Sequence, residues 1–372
     1  MRKSNGYCIV ATNYPPEIGG PAKFAATYPL TLSQSLSGSV VTTTPESSSI
    51  LNLGQTQVIK ISRANNIITR TLTLIWSIRR NSQAGGAILA NGFFIETWAA
   101  TLFSKRRYVA KIPGDIVWEK ATNSGVTKST ITDFQTEKLN LPLRIFRSLN
   151  HLAVRSARSV ICPTDELKEI MKNWGVSKEK LRVIPNSVDS NLFQPNPSIT
   201  KDFDVICVNR LVSWKGMPEV IEVCAKLGLK LLIAGTGPLS DELKSLTKKL
   251  NSKVVFLEDV TQSELVNHLN RSRIYILNST FEATAYSLLE AMSCGLAVIA
   301  RFDTGSQDVI HHRVDGLLIG HSDFPSIEVA LEFLIERPEQ IVNFGTKARE
   351  MVMRNFDMYK NYKKISSLLF HE

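Results

Sequence analysis

The 372-residue sequence has no apolar stretch long enough to cross a membrane. No segment approaches the roughly 18 uncharged apolar residues of a spanning helix. The first apolar run, beginning near Tyr7, has only about five residues, too few for the core of a signal peptide. We therefore expect a cytoplasmic protein that is at most attached to a membrane surface.

Cysteine is scarce, and glycine and proline are at ordinary levels. The five cysteines, Cys8, Cys162, Cys207, Cys224 and Cys294, include no C-x-x-C pair, and several lie in apolar runs. This usage predicts buried free thiols in a reducing compartment. The 20 glycines and 15 prolines exclude collagen-like and low-complexity classes.

Acidic residues are scarce in the first half only. Residues 1–195 carry 24 Lys and Arg against 12 Asp and Glu, a net charge of +12, whereas residues 196–372 have a net charge of −2. This asymmetry indicates that the first half faces an anionic partner, such as nucleic acid, a membrane or a phosphate-rich substrate.

Short apolar runs alternate with amphipathic helical segments along the chain, which predicts βαβ units with parallel sheets. The runs form two sets of five or six strands, and a turn-rich segment near residues 190–200 separates them. The prediction is an α/β protein of two doubly wound, Rossmann-like domains that face each other across a cleft. The predicted ranges are 1–192, 198–352 and a C-terminal helix, 353–372, that crosses back to the first domain.

The second half contains a cluster of charged residues near predicted strand ends. Arg210 and Lys215 follow the strand Asp204–Asn209 and flank the next helix, an arrangement suited to a diphosphate. Glu282 follows the strand Ile274–Asn278, and Glu290 lies on an apolar helix, where burial is costly unless a ligand or cation satisfies the carboxylate. The alternative for Glu290 is an ordinary solvated helix residue. Gly235-Thr236-Gly237-Pro238 does not fit a dinucleotide fingerprint, because Ser240 stands at the third glycine position.

Several motifs together resemble the retaining glycosyltransferases of the GT-B fold, family 4 type. The segment from Glu282 to Gly295 resembles their E-x7-E motif. Further similar segments, in family order, are Asn13-Tyr14-Pro15-Pro16-Glu17-Ile18-Gly19-Gly20, Ile184-Pro185-Asn186-Ser187-Val188-Asp189, Asn209-Arg210-Leu211-Val212 with Lys215-Gly216, and Ile233-Ala234-Gly235-Thr236-Gly237-Pro238.

The resemblance implies a sugar-nucleotide-dependent transferase. In the family, residues matching Arg210 and Lys215 hold the donor diphosphate, the first Glu contacts sugar hydroxyls and the second binds the ribose. Fixed cations of this kind stabilise a leaving nucleoside diphosphate without a metal. The expected donor-binding residues are Gly19, Gly20, Arg210, Lys215, Gly237, Glu258, Val260, Glu282, Ala283, Thr284, Ala285, Tyr286, Ser287 and Glu290. No cofactor or metal is expected, and the base is uracil or guanine.

The sequence departs from the family at the donor sugar and at the reaction centre. Ala283 and Ala285 replace the usual glycines, which adds bulk beside the sugar. The family histidine of the first domain has no counterpart in a suitable context. Lys111-Ile112-Pro113-Gly114-Asp115-Ile116-Val117-Trp118-Glu119 resembles a variant of the corresponding loop in some bacterial members. Asp115 is therefore predicted to be the reaction-centre carboxylate, together with Glu282, Arg210 and Lys215; the alternative is a helix N-cap.

The basic first half predicts an acceptor that is anionic or lipid-linked, such as a growing cell-surface glycan. Lys105-Arg106-Arg107 and the basic amphipathic segment 141–158 could rest on the inner face of an anionic membrane, or the segment could simply be a solvated helix. Nucleic-acid binding is not favoured, because no recognition motif accompanies the charge. Two alternatives stay open: a sugar phosphorylase or synthase of the same fold, and a catalytically weak binding module in a glycan-assembly complex.

Overall fold

The computed structural model describes residues 6–370 apart from 18, 34, 83–85, 105–106, 259, 303 and 321. Ile18, Lys105 and Arg106, all members of motifs discussed above, lie outside the described residues. Contacts divide the chain into a first unit, residues 1–184 with 362–372, and a second unit, residues 185–361.

The first unit is built on a sheet flanked by helices. Its strands are β1 (Gly6–Ala11), β2 (Ser37–Thr44), β3 (Ser49–Leu53), β4 (Thr56–Ser62), β5 (Ala87–Asn91), β6 (Tyr108–Lys111), β7 (Ser159–Cys162) and β8 (Leu181–Val183). Its helices are α1 (Gly20–Thr27), α2 (Ile67–Ser82), α3 (Phe94–Thr101), α4 (Ile116–Asn123), α5 (Ile131–Phe134), α6 (Leu141–Ser156) and α7 (Asp165–Asn173).

The second unit repeats this plan with fewer strands. Its strands are β9 (Phe203–Val208), β10 (Leu231–Ala234), β11 (Val254–Leu257), β12 (Ser272–Leu277), β13 (Ala297–Arg301) and β14 (Leu317–Ile319). Its helices are α8 (Met217–Lys226), α9 (Ser240–Lys249), α10 (Gln262–Asn270), α11 (Tyr286–Ser293), α12 (Ile327–Glu336) and α13 (Pro338–Asn355). A final helix, α14 (Met358–Phe370), begins in this unit and ends in the first.

Both sheets are doubly wound. Within the described residues the first sheet has the order β3-β4-β2-β1-β5-β6-β7-β8, parallel except for β3, which pairs antiparallel with β4. The second sheet has the order β11-β10-β9-β12-β13-β14 and is parallel throughout its described pairs. The predicted α/β class with two Rossmann-like domains is confirmed. In such sheets the strand order reverses at one point, here between β1 and β5 and between β9 and β12, and ligands bind beyond the carboxyl ends there.

The central strands are apolar on both faces because helices cover both sides of the sheet. In β12, Tyr275 and Leu277 pack into one buried cluster, and Ile274 and Ile276 pack into the cluster on the opposite face. All five cysteines are buried and free, as expected. No helix in the described part of the chain has both the length and the apolar character needed to cross a bilayer.

The boundary between the units lies near, but not at, the predicted positions. The segment after Pro185 belongs to the second unit, because the Val188 N–H donates to the Phe356 carbonyl (3.0 Å) and the Met358 N–H donates to the Val188 carbonyl (3.2 Å). The end of α14 completes the first unit, where the Tyr362 hydroxyl lies 2.7 Å from that of Thr27.

Candidate functional site

The second unit brings Lys215 and Glu282 together at the point where its strand order reverses. Lys215 ends a single 3-10 turn, Ser213–Lys215, after β9, and Glu282 lies in the loop after β12. The two side chains form an ion pair, and both are largely buried. The Ser279 hydroxyl donates to Glu282 Oε1 (2.8 Å), so the carboxylate is held by a cation and a neutral donor. Two residues 67 positions apart in sequence therefore form one site.

A second polar group, the Asn278 cluster, lies beside this pair and consists of the side chains of Glu219, Asn278 and Arg301 and the backbone carbonyl of Gly216. Asn278 Nδ2 donates to the Gly216 carbonyl (2.9 Å) and to Glu219 Oε2 (2.9 Å). Arg301 Nε donates to Asn278 Oδ1 (2.7 Å), and Arg301 Nη2 contacts Glu219 Oε2 (2.8 Å). The cluster ties the end of β12 to the turn that carries Lys215.

Gly216 is the position at which this close approach depends on glycine. Its φ is +59°, and a Cβ there would lie 2.5 Å from Asn278 Nδ2 and 2.7 Å from the Asn278 carbonyl oxygen. The Thr280 N–H also donates to the Trp214 carbonyl (2.9 Å), a second link between the two loops. The Asn278 cluster was not predicted from the sequence. Asn278 itself was a usable signal, because an amide stands at the end of an apolar strand, and the structure shows that it is buried.

Arg210, Gly237, Glu258 and Val260 lie at or after the ends of neighbouring strands of the same sheet. The Arg210 side chain is exposed. Gly237 packs backbone to backbone against Leu211, since a Cβ on Gly237 would lie 2.3 Å from the Leu211 carbonyl oxygen. Glu258 is exposed, and its hydrogen bond with Lys244 (2.6 Å) lowers the pKa of its carboxyl group. Val260 is half-buried, and no described contact assigns it a role.

The loop that carries Ala283, Thr284 and Ala285 is fixed from two sides. The Asn186 amide donates to the Thr284 carbonyl (2.7 Å), and the Gly305 N–H donates to the Glu282 carbonyl (2.8 Å). Thr284 is buried, whereas both alanines are half-buried. Gly305 was another residue that the sequence analysis missed.

Helix α11 begins at Tyr286 and carries Ser287 and Glu290. The Ser287 hydroxyl lies 2.7 Å from the buried Tyr275 hydroxyl, which anchors the first turn of the helix. Glu290 is buried on this helix, so the alternative of a solvated helix residue is wrong. Burial of a carboxylate on an apolar helix is consistent with the predicted ligand-binding role, which stays a prediction.

In the first unit, Gly19 and Gly20 stand at the start of α1 after β1. Gly19 has a φ of +151°, and a Cβ there would lie 3.1 Å from the Asn13 amide nitrogen. No contact within the first unit tests whether these glycines approach the donor phosphates, so that role stays a prediction.

Asp115 is the N-cap of α4 and has no exposed surface. Its Oδ1 accepts from the N–H groups of Val117 (2.9 Å) and Trp118 (3.2 Å), and its Oδ2 accepts from Gln135 Nε2 (3.0 Å). Burial raises the pKa of this carboxyl group, and the three hydrogen bonds act in the opposite direction. The alternative of a helix N-cap is confirmed, and the role at the reaction centre stays a prediction.

The sequence contains one Asp-x-Asp spacing, Asp202 and Asp204, at the amino-terminal end of β9 and so at the opposite end from Arg210. Asp202 pairs with Arg271 (2.7 Å), and Asp204 accepts from the Lys230 N–H (2.9 Å). Across the described residues, no group of three or more His, Cys, Asp and Glu is placed to hold a metal ion. Metal independence stays a prediction.

Comparison with known families agrees with this geometry. Residues 188–351 match the family of glycosyl transferases group 1, and residues 127–192 match Glycosyltransferase Family 4. Every residue of the Lys215–Glu282 pair and the Asn278 cluster falls in the first match. The two matches together run from residue 127 to residue 351, and the part of the chain that forms the second unit is similar to the group 1 glycosyl transferases.

Two curated relatives illustrate the range of the family. The chain is 27% identical over 257 residues to the UDP-Gal:alpha-D-GlcNAc-diphosphoundecaprenol alpha-1,3-galactosyltransferase of Escherichia coli, covering 63% of this chain and 66% of the relative. It is 33% identical over 161 residues to the phosphatidylinositol N-acetylglucosaminyltransferase gpi3 subunit of Schizosaccharomyces pombe, covering 41% of this chain and 35% of the relative. The matches thus span about one third to two thirds of these relatives.

Solved structures share the fold over nearly the whole chain. Sucrose-phosphate synthase from Thermosynechococcus elongatus superposes with a TM-score of 0.81 at 16% identity, covering 98% of each chain. HepE from Anabaena, solved in complex with UDP and glucose, has a TM-score of 0.73 at 17% identity, covering 98% of this chain and 99% of that one. At these identities the likeness concerns the fold alone.

Proposed function

We propose that this protein transfers a sugar from a nucleoside diphosphate to a saccharide or lipid-linked acceptor, with retention of the anomeric configuration and without a metal. The observation that carries the proposal is the Lys215–Glu282 pair, built from the loops after β9 and β12 where the strand order reverses. A cation and a carboxylate fixed at this point suit a ligand that has both a diphosphate and sugar hydroxyls.

In the proposed reaction, Lys215 and the exposed Arg210 stabilise the negative charge that develops on the leaving diphosphate. Glu282 accepts hydrogen bonds from sugar hydroxyls, and Glu290 accepts them from the ribose. Because Glu282 neutralises Lys215 in the structure, the donor diphosphate must compete for that ammonium group when it binds. The second unit is then the donor-binding domain, and the first unit, with its net positive charge, binds the acceptor.

The activities for which two relatives are named support the acceptor proposal. One acts on a diphosphoundecaprenol-linked sugar, and the Campylobacter jejuni relative is named as a diphospho-undecaprenol N-acetylgalactosaminyltransferase. We extend this to a lipid-linked or anionic glycan acceptor at the inner face of the cytoplasmic membrane, in cell-surface polysaccharide or lipopolysaccharide synthesis.

Thermal shift with nucleoside diphosphates tests the donor site first. We expect UDP or GDP at about 100 times its Kd to stabilise the protein by about 2.7 kcal/mol, a rise of about 5 °C or more in Tm. Lys215→Ala should abolish the shift at the same concentration, whereas Lys226→Ala, an exposed lysine of α8, should retain it.

Mass spectrometry of a sugar-nucleotide panel tests the reaction. Hydrolysis of a sugar nucleotide, lost in Glu282→Gln and retained in the presence of EDTA, would support metal-independent transfer, and NMR of the product reports its anomeric configuration. Sugar phosphate formed with inorganic phosphate would indicate a phosphorylase instead. If no nucleotide stabilised the protein and none was hydrolysed, the proposal would be contradicted and a binding module would be favoured.

A further inference from the structure

Helix α2 presents large apolar side chains to solvent along one stripe. Ile68, Leu72 and Trp76, spaced four residues apart, are 69%, 61% and 57% exposed. The opposite side of the helix packs into the first unit through Leu74 and Ile78, which are buried. A surface helix ordinarily buries one apolar stripe and exposes a polar one, so a second apolar stripe marks an interaction surface.

Neighbouring elements of the first unit also expose large apolar side chains. Helix α2 packs on α3, and α3 packs on α6. Phe103, just beyond the end of α3, is fully exposed and has a φ of +62°. Helix α6 exposes Ile145 and Leu149, four residues apart. We name Ile68, Leu72, Trp76, Phe103, Ile145 and Leu149 the apolar face of the first unit.

The charges on α2 and α6 have a single sign, whereas α3 carries Glu96 and no basic residue. Helix α2 contains three arginines and no acidic residue, and so does α6. Arg79 and Arg80 at the end of α2 are exposed, and the Arg80 guanidinium lies 5.1 Å from the centre of the Trp76 ring. Arg144 on α6 is exposed as well.

This charge pattern selects the occupant. If a second copy covered the apolar face, the basic helices of both copies would be brought together and would repel each other. An anionic bilayer offers apolar chains for the stripe and negative headgroups for the arginines that flank it. Tryptophan beside arginine is also suited to the interface between headgroups and acyl chains.

We propose that the apolar face of the first unit docks on an anionic lipid bilayer, with Leu72 and Trp76 of α2 inserted into its surface. The contact deepens the proposed function by assigning it a membrane-bound acceptor, but lipid binding is measured without donor or acceptor. Failure of the docking and failure of the transferase proposal are therefore distinguishable.

The test is sedimentation with vesicles of phosphatidylcholine containing 30 mol% phosphatidylglycerol, compared with pure phosphatidylcholine, at low salt. We expect binding only to the anionic vesicles, at least a tenfold loss of affinity in Leu72→Glu, and weakening by added salt. Val342→Glu, at an exposed apolar site on α13 in the second unit, is the matched control and should bind like the wild type. Circular dichroism and Tm establish that both variants are folded.

Tryptophan fluorescence locates the contact on α2. Emission should shift to shorter wavelength on addition of anionic vesicles, and Trp76→Phe should lose most of that shift. Wild-type protein that fails to sediment with anionic vesicles would overturn the proposal, and so would a folded Leu72→Glu that binds as tightly as the wild type. A dimer in analytical ultracentrifugation that Leu72→Glu dissociates, with no vesicle binding, would assign the face to a second copy instead.

Discussion

Substitution of Asp115 separates a structural role from a chemical one. Asp115→Ala removes the N-cap of α4, which lowers the free energy of unfolding by about 1 kcal/mol. It also removes the buried hydrogen bond from Gln135, which lowers it further by about 1–2 kcal/mol. The expected loss is about 2–3 kcal/mol, or about 4–12 °C in the Tm of the first unit. The alanine variant is therefore too disruptive to report on catalysis.

Asp115→Asn is the informative variant because asparagine caps helices as well as aspartate does. Its Oδ1 can accept from the N–H groups of Val117 and Trp118, while its Nδ2 faces the donor Nε2 of Gln135. Burial raises the pKa of the Asp115 carboxyl, so a neutral side chain avoids part of the desolvation cost. We expect these effects to offset, leaving stability within about 1 kcal/mol of the wild type.

Turnover of the sugar nucleotide that the panel identifies is then the decisive measurement. The absence of exposed surface and the three hydrogen bonds predict a capping residue, so Asp115→Asn should retain turnover within about threefold, and the reaction-centre role would be removed. A loss of about 100-fold or more with an unchanged Tm, the size expected for a residue acting on the reacting atoms, would refute this reasoning. Gln135→Leu removes the same hydrogen bond from the other side, together with the bond that Gln135 accepts from Trp174 Nε1, and serves as a comparison for loss of this contact.

Two further predictions concern residues at strand ends. Burial lowers the pKa of Lys111 to about 8 from 10.5, so the folded state favours the neutral amine and the free energy of unfolding should rise by about 3 kcal/mol between pH 8 and 10.5. Lys111→Met should abolish this rise with pH and be more stable than the wild type at pH 7, whereas Lys120→Met, at an exposed lysine, should keep the rise. Urea unfolding at pH 8 and pH 10.5 measures the change. An unchanged rise in Lys111→Met would contradict the prediction. Asn278→Ala removes the hydrogen bond that holds the Gly216 carbonyl and should weaken nucleotide binding about tenfold. The exposed Asn343→Ala should not weaken it, and calorimetric titration that finds equal affinities would show that the Asn278 cluster does not position Lys215.

Most strands were predictable because a sheet covered on both faces requires short, continuous apolar runs. The predicted strands Asp204–Asn209 and Ile274–Asn278 overlap β9 and β12. Strand β3 was missed because its apolar run is only Ile50-Leu51 before Asn52 interrupts it; all residues of the strand are exposed in the structure. Strands β8 and β14 were missed because three residues are too few to show a pattern.

The candidate site was predictable only in part. Motif order indicated Arg210, Lys215, Glu282 and Glu290: the first three follow predicted strands, and Glu290 lies on a predicted apolar helix. That Glu219, Asn278 and Arg301 form one cluster was not predictable, because they belong to three separate segments and meet only through strand order.

The sequence by itself determined the local properties of this protein: where strands and helices form, which half is basic, and which charged residues follow strands. Hydrophobic periodicity and charge are properties of neighbouring residues, so they can be read along the chain. Only the tertiary structure decided that Lys215 meets Glu282, that Asp115 is covered and caps a helix, and that α2 keeps an apolar stripe in solvent. Pairing and burial depend on which distant segments the sheet order brings together, and that information is absent from any short stretch of sequence.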